Sequence, residues 1–270
     1  MKKFLFAALA VATLALVGCD KPCEICGEDP CVCEVCDVCG ENPCICEADE
    51  YVNPISVTDG SAADWDALPA AFVATTTHAE GASMDGLKSV KVYADQMYIF
   101  LLVEVNDDVV TDRAWTPFHV YLNTDNSATT GGFADQWVTG DVDVMLETVI
   151  FADGAGYSYN PAVFKWFGEV GGSGWLWTDP SVVADDTNGW GAIVPEGTLP
   201  IGNAQAVNGI GTVEIQLLKE LIPAQWADEF TIGFDIQQEW NSCGILPNAA
   251  DDPATAAAVL AKKLVVKVKK

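Results

Sequence analysis

Nine of the ten cysteines in this 270-residue chain lie between Cys19 and Cys46, and only Cys243 lies beyond them. A body folded from the later residues therefore has no internal disulfide to stabilise it. It must rest on a hydrophobic core, and residues 51–270 are numerous enough to bury one large domain. The chain divides by composition into residues 1–18, a cysteine-rich stretch at 19–50, and a body at 51–270.

Met1-Lys2-Lys3 opens the chain with positive charge, and residues 4–17 form an almost unbroken apolar run. The run falls short of the ~20 residues that span a bilayer and has the build of a secretory signal. Leu16-Val17-Gly18-Cys19 closes it and resembles the bacterial lipobox, whose cysteine receives diacylglycerol after cleavage. The expectation is a signal peptide at 1–18 and a lipid anchor on Cys19. The protein would then be exported, tethered to the bacterial cell envelope at the outer membrane, and surface-exposed. An ordinary signal peptide with a nearby cysteine is the alternative. Each buried CH₂ contributes ~0.8 kcal/mol, so several acyl chains hold stably.

Cleavage would remove two of the 13 basic residues and none of the 39 acids. A balance that acidic argues against nucleic acid, whose affinity comes mainly from phosphate neutralisation. It also argues against electrostatic docking on anionic lipid. Its plain use is to keep an exposed protein soluble.

Residues 23–48 repeat with a period of 13, each copy reading C-x-x-C-G-E-[DN]-P-C-x-C. Cys23, Cys26, Cys31 and Cys33 form the first set, and Cys36, Cys39, Cys44 and Cys46 the second. The C-x-x-C-G portion is similar to a zinc knuckle, and four thiolates per copy would close one tetrahedral Zn²⁺ site. Local disulfides compete with this reading, since exported cysteines usually oxidise; reduced thiols on a spacer are a third possibility. Bridging within a C-x-C pair closes a very small ring, so bridges between the two pairs of a copy are easier.

From Tyr51 the texture changes to short apolar runs broken by Gly, Asn, Asp and Pro. Residues 89–105 read as a hairpin turning at Ala94-Asp95-Gln96. Residues 117–123 alternate, with Phe118, Val120 and Leu122 on one face and His119, Tyr121 and Asn123 on the other. Residues 142–151, 211–217 and 230–237 read as further strands. Only 218–226 and the alanine run at 254–261 look helical. The expected fold class is all-β: a two-sheet antiparallel β-sandwich, jelly-roll-like, with one or two short helices.

Three segments carry a family resemblance. Ile55-Ser56-Val57-Thr58-Asp59-Gly60 with Asp64-Trp65-Asp66 resembles the opening strand of family 9 carbohydrate-binding modules. Residues 120–126, then Thr130-Gly131-Gly132, then Gly140-Asp141-Val142-Asp143, look like that family's acidic turn segment. Ile232-Gly233-Phe234-Asp235-Ile236 is similar to its late strand. The resemblance covers about residues 55–240 and implies a β-sandwich that holds sugar between tryptophans. Asn123 stands where that pattern has an aspartate, which weakens a metal site there.

Asn123 and Asp125 share one strand face, and Asp141 and Asp143 share another. Oxygen ligands converging from two strands suit Ca²⁺, and the resemblance adds structural calcium as an expectation. The alternative is that these side chains shape the turn through Asx hydrogen bonds. Nine tryptophans exceed ordinary core filling. Trp175 and Trp177 share a face after three glycines and lead the candidates for stacking on a sugar, with Trp137 and Trp166 behind them. Trp65 reads as core, and Cys243 as a buried thiol. His78 and His119 sit beside no nucleophile motif, and Gly171-Gly172-Ser173-Gly174-Trp175 lacks the closing glycine of a nucleophile elbow.

The sequence thus points to a non-catalytic envelope lipoprotein that binds carbohydrate through exposed tryptophans. The alternatives are a protein-binding or adhesion sandwich, and a metal- or redox-handling protein acting through the cysteine repeat. The anchor is tested by Cys19→Ala: lipid labelling should vanish and the protein should be released or left unprocessed, whereas unchanged labelling refutes the lipobox.

Overall fold

Valine, isoleucine and aromatic residues at alternate positions suit a pleated surface buried on one side or both. The computed structural model describes residues 51–270 apart from 112–115, 133–136, 138, 151–158, 173–189, 196, 209–210, 255–256 and 261, and leaves aside the side chains of 252 and 257–260. Cys19, the eight repeat cysteines from Cys23 to Cys46, Trp175 and Trp177 lie outside the described residues.

The body is all-β. Its strands are β1 (Val73–Thr77), β2 (Leu87–Asp95), β3 (Tyr98–Val105), β4 (Pro117–Asn123), β5 (Val144–Val149), β6 (Ala162–Trp166) and β7 (Trp190–Val194). They continue as β8 (Gly202–Val207), β9 (Thr212–Leu218), β10 (Glu229–Gln238), β11 (Asn241–Leu246), β12 (Asn248–Asp252), β13 (Ala257–Leu260) and β14 (Leu264–Lys269). Twelve of them form one mixed sheet in the order β7-β6-β5-β4-β10-β14-β2-β3-β9-β8, with β1 also on β2 and β11 also on β10. The remaining pair is β12–β13.

The sheet has two wings. β1, β2, β3, β9 and β8 make one, and β11, β10, β4, β5, β6 and β7 the other. β14 joins them, antiparallel to β10 and parallel to β2. One cluster of buried side chains draws on both wings: Val92, Leu101 and Ile215 from the first, Val120, Leu146 and Phe234 from the second.

The 89–105 hairpin forms as expected, its turn closed by Asp95 Oδ1, which accepts the Met97 and Tyr98 amides at 2.8 Å. Two readings are corrected. The alanine run is strand β13, paired with β12, because a cross-strand ladder outweighs alanine's helix propensity. Residues 218–226 contain only a 3-10 turn, Lys219–Leu221, with Pro223 unable to supply the amide that would continue it.

Residues 55–72 cover the outer face of the first wing. Ile55, Val57 and Trp65 pack on Tyr93 and Phe100, and Trp65 is core as expected. Its indole Nε1 donates to Glu214 Oε1 of β9 at 2.6 Å. Glu214 is fully buried, and among the described residues its Oε2 has no hydrogen-bond partner. Burial first, then Asp59 and Asp64 nearby, push this carboxyl from 4.5 up to about 7, against the lowering effect of the indole bond.

Between those two values the folded chain holds a proton that the unfolded chain has lost. This contribution to stability is complete below about 4.5 and disappears as pH rises through about 7. The loss should be on the order of 2–3 kcal/mol by pH 8. Glu214→Gln should remove it, so denaturant melts of variant and parent should diverge from pH 5 to pH 8 with the variant more stable. Parallel curves would show that Glu214 ionises freely in the fold.

Candidate functional site

Both faces of β4 are buried throughout its length. Phe118, Val120 and Leu122 enter the main core, as their alternation indicates. The second face carries the candidate site, because β4 lies between β10 and β5 in register.

Asp235 of β10, His119 of β4 and Glu147 of β5 stand directly opposite one another and make a polar row across three strands. His119 Nε2 lies 2.5 Å from Glu147 Oε2, and its Nδ1 lies 3.8 Å from Asp235 Oδ2. Asp235 Oδ2 also accepts from Gln237 Nε2 at 2.7 Å and Ser242 Oγ at 2.9 Å. His119 and Asp235 are buried, while Glu147, Gln237 and Ser242 are half-buried and form the accessible margin. Ser242 donates to a carboxylate, and His119 is hydrogen-bonded to Glu147. This is a hydrogen-bonding surface of carboxylate, amide and hydroxyl groups.

Further along the same face the side chains are aromatic. Tyr121 meets Trp137 with ring centroids 4.7 Å apart, and Trp166 meets Trp190 edge-on at 5.4 Å. Trp137 is 0% exposed and Trp166 is 7% exposed, so neither offers a face to a sugar. Both are corrected to core residues. Glycines of this same chain receive the rings: a Cβ on Gly233 would lie 2.3 Å from Trp137, and one on Gly132 would lie 2.1 Å from Trp166.

At the far end of β4 the structure brings Asn123, Asp125, Asp141 and Asp143 together. Asn123 Nδ2 donates to Asp141 Oδ2 at 2.8 Å. Asp125 Oδ1 accepts the Ser127 amide at 2.9 Å and Thr130 Oγ1 at 3.0 Å. Asp143 Oδ2 accepts the Thr124 amide at 2.9 Å. Lys263, itself buried, pairs with Asp141 Oδ1 and donates to Thr139 Oγ1. Burial pushes Asp141 up, but Lys263, Thr139 and Asn123 together outweigh it and hold the carboxyl below its ordinary value. Burial and the Asp125 charge push Asp143 up despite its hydrogen bonds. Asp125 thus closes an Asx turn on Ser127, while Asp141 and Asp143 tie the later segment to Asn123, Lys263 and Thr124. Among the described residues no group of three or more His, Cys, Asp or Glu side chains is arranged to hold a metal ion.

Two features were not read from the sequence. A cleft of about 400 Å³ beside the β2–β3 turn is lined by Met97, Lys219, Glu220, Pro223 and Trp226, with Lys219 Nζ 5.0 Å from the Trp226 ring centroid. Trp240 is 62% exposed in the two-residue turn between β10 and β11, where Gln238 faces Asn241. Glu239 and Trp240 have φ of 49° and 64°. Such turns ordinarily take Asn-Gly, since each larger residue in that region costs about 1–2 kcal/mol. The available signal was a two-residue gap between strand-like runs with tryptophan in glycine's place. Cys243 is half-buried, and burial with the Asp235 charge pushes its thiol up to about 11.

Compared with protein-family models and with curated proteins, the chain matches none.

Lys263→Met should leave Asp141 unpaired and destabilise by about 2–4 kcal/mol, and Trp137→Ala should cost about 3–5 kcal/mol, both read as denaturant midpoints. If Lys263 supplies the positive charge here, millimolar Ca²⁺ and EDTA should leave parent melting unchanged. A clear rise with Ca²⁺ would instead assign the acidic turn to a cation.

Proposed function

We propose that the chain is a lipid-anchored β-sandwich of the bacterial envelope, at the outer membrane and facing outward, that binds carbohydrate without cleaving it. The two-sheet reading is supported by the shared core: side chains from both wings meet in one cluster, as in sandwiches. The cysteine repeat then serves as a spacer between Cys19 and the body.

The polar row carries the functional reading. Sugars offer hydroxyls, and Glu147, Gln237 and Ser242 offer a carboxylate, an amide and a hydroxyl along one margin. Their partners His119 and Asp235 hold all three, Glu147 through the imidazole and both Gln237 and Ser242 through the carboxylate. Adjacent strands are ~4.8 Å apart, which suits the span of a sugar ring. Binding sites of this kind are largely preformed, with a few precisely placed polar groups among apolar ones. Here the buried aromatic cluster further along the same face supplies the rigid apolar support.

Full-length protein in detergent should bind at least one glycan on a glycan array. Glu147→Gln should weaken that binding about tenfold, as expected for losing a charged hydrogen-bond acceptor, with little change in melting. An array showing no binding by the parent would end the carbohydrate reading.

A further inference from the structure

We propose that Trp240 is a stacking platform for one ring of an uncharged glycan, an assignment that rests on the carbohydrate reading above. The ring contributes little to the core, being 62% exposed. Yet it occupies a left-handed position, directly after another non-glycine residue in the same region. Asparagine or glycine would serve the turn better. A strained backbone position that carries an exposed aromatic ring points to a role outside the core.

The surroundings indicate the ligand class. The turn reads Gln238-Glu239-Trp240-Asn241-Ser242, one aromatic ring among amide, carboxylate and hydroxyl groups. An aromatic face beside planar hydrogen-bonding groups matches a polyol, whose CH face is apolar and whose rim is hydroxylated. A protein partner would want a contiguous apolar patch. The tip is also braced. Asn241 Nδ2 donates to the Glu239 carbonyl at 3.0 Å, and Gln238 Nε2 donates to Thr111 Oγ1 at 3.0 Å. Two residues on, Ser242 donates to Asp235, so the turn leads into the polar row along the same β10–β11 pair. Preorganisation of this kind lowers the entropic cost of binding. Glu239 beside the ring and a net charge of −26 disfavour acidic sugars.

The full chain should be titrated with neutral β-glucan, xylan and mannan fragments, with acidic alginate fragments, and with phosphatidylcholine vesicles. The expected result is binding to a neutral fragment that falls about thirtyfold in Trp240→Gly. Melting of that variant should hold or rise by about 2–4 °C as the turn is relieved. Trp240→Phe should keep part of the affinity, and ligand-induced change in tryptophan emission should fade with Trp240→Gly. Undiminished glycan binding in a folded Trp240→Gly protein would overturn this assignment and leave the carbohydrate reading standing. Preference for alginate would overturn it too, as would vesicle binding that alone depends on Trp240. No glycan binding by the parent would remove the carbohydrate reading and this assignment with it.

Discussion

β14 has to satisfy two sheets at once, and the rest of the body depends on it. Residues 264–267 pair antiparallel with 229–232 of β10, and then Val268 and Lys269 pair parallel with Ala94 and Asp95 of β2. Through that strand the two wings become one hydrogen-bonded sheet. Their apolar faces then share one core in a body whose single cysteine excludes an internal crosslink. Parallel and antiparallel ladders have different hydrogen-bond geometry, so the change of partner falls along β14 itself, between Lys267 and Val268. β10 works in the same way on the second wing, holding β4 on one edge and β14 then β11 on the other. The polar row is built where β10 and β4 run together, and the Trp240 turn lies where β10 gives way to β11.

Glycine and tryptophan exchange their customary places around this site. Inside, Gly132 and Gly233 lie under Trp166 and Trp137, where any side chain would collide with the ring. Close packing makes such positions intolerant of even one added carbon. Outside, a turn suited to glycine carries Trp240. The first arrangement follows from the need to fill a core, and tryptophan is well suited to it. The second has no such explanation, and that contrast separates the exposed ring from its buried neighbours.

Much of the framework was legible because it is local. The hairpin at Asp95 and the two-faced alternation of β4 are written in consecutive residues, and β9 and β10 appear within a residue or two of their expected bounds. The misreadings concern contacts between distant residues. The segment 257–260 extends because β12 offers it a partner. Whether Trp137 faces solvent depends on Gly233, almost a hundred residues later. Likewise the Trp65–Glu214 bond spans 149 positions, and neither residue's neighbours announce it. The acidic turn was half legible: the residues that meet there were identified, while the partner that neutralises Asp141, Lys263, comes from the far end of the chain.

Charge ties these observations to function. Basic residues are few, and the fold withdraws two of them, since Lys219 and Lys263 are each 6% exposed. One donates to the Asp95 carbonyl and lies by Trp226; the other neutralises Asp141. The fold withdraws three acids as well, Asp95, Glu214 and Asp235, so the surface keeps the strongly acidic balance of the composition. The exposed pair of Lys270 with Asp228 offsets little, because such pairs gain little in water. A field of that sign repels anionic ligands over roughly a Debye length, and it leaves uncharged polar ligands untouched. Selection by hydroxyl hydrogen bonds and ring stacking is the kind of recognition that works on such a surface without opposing its charge.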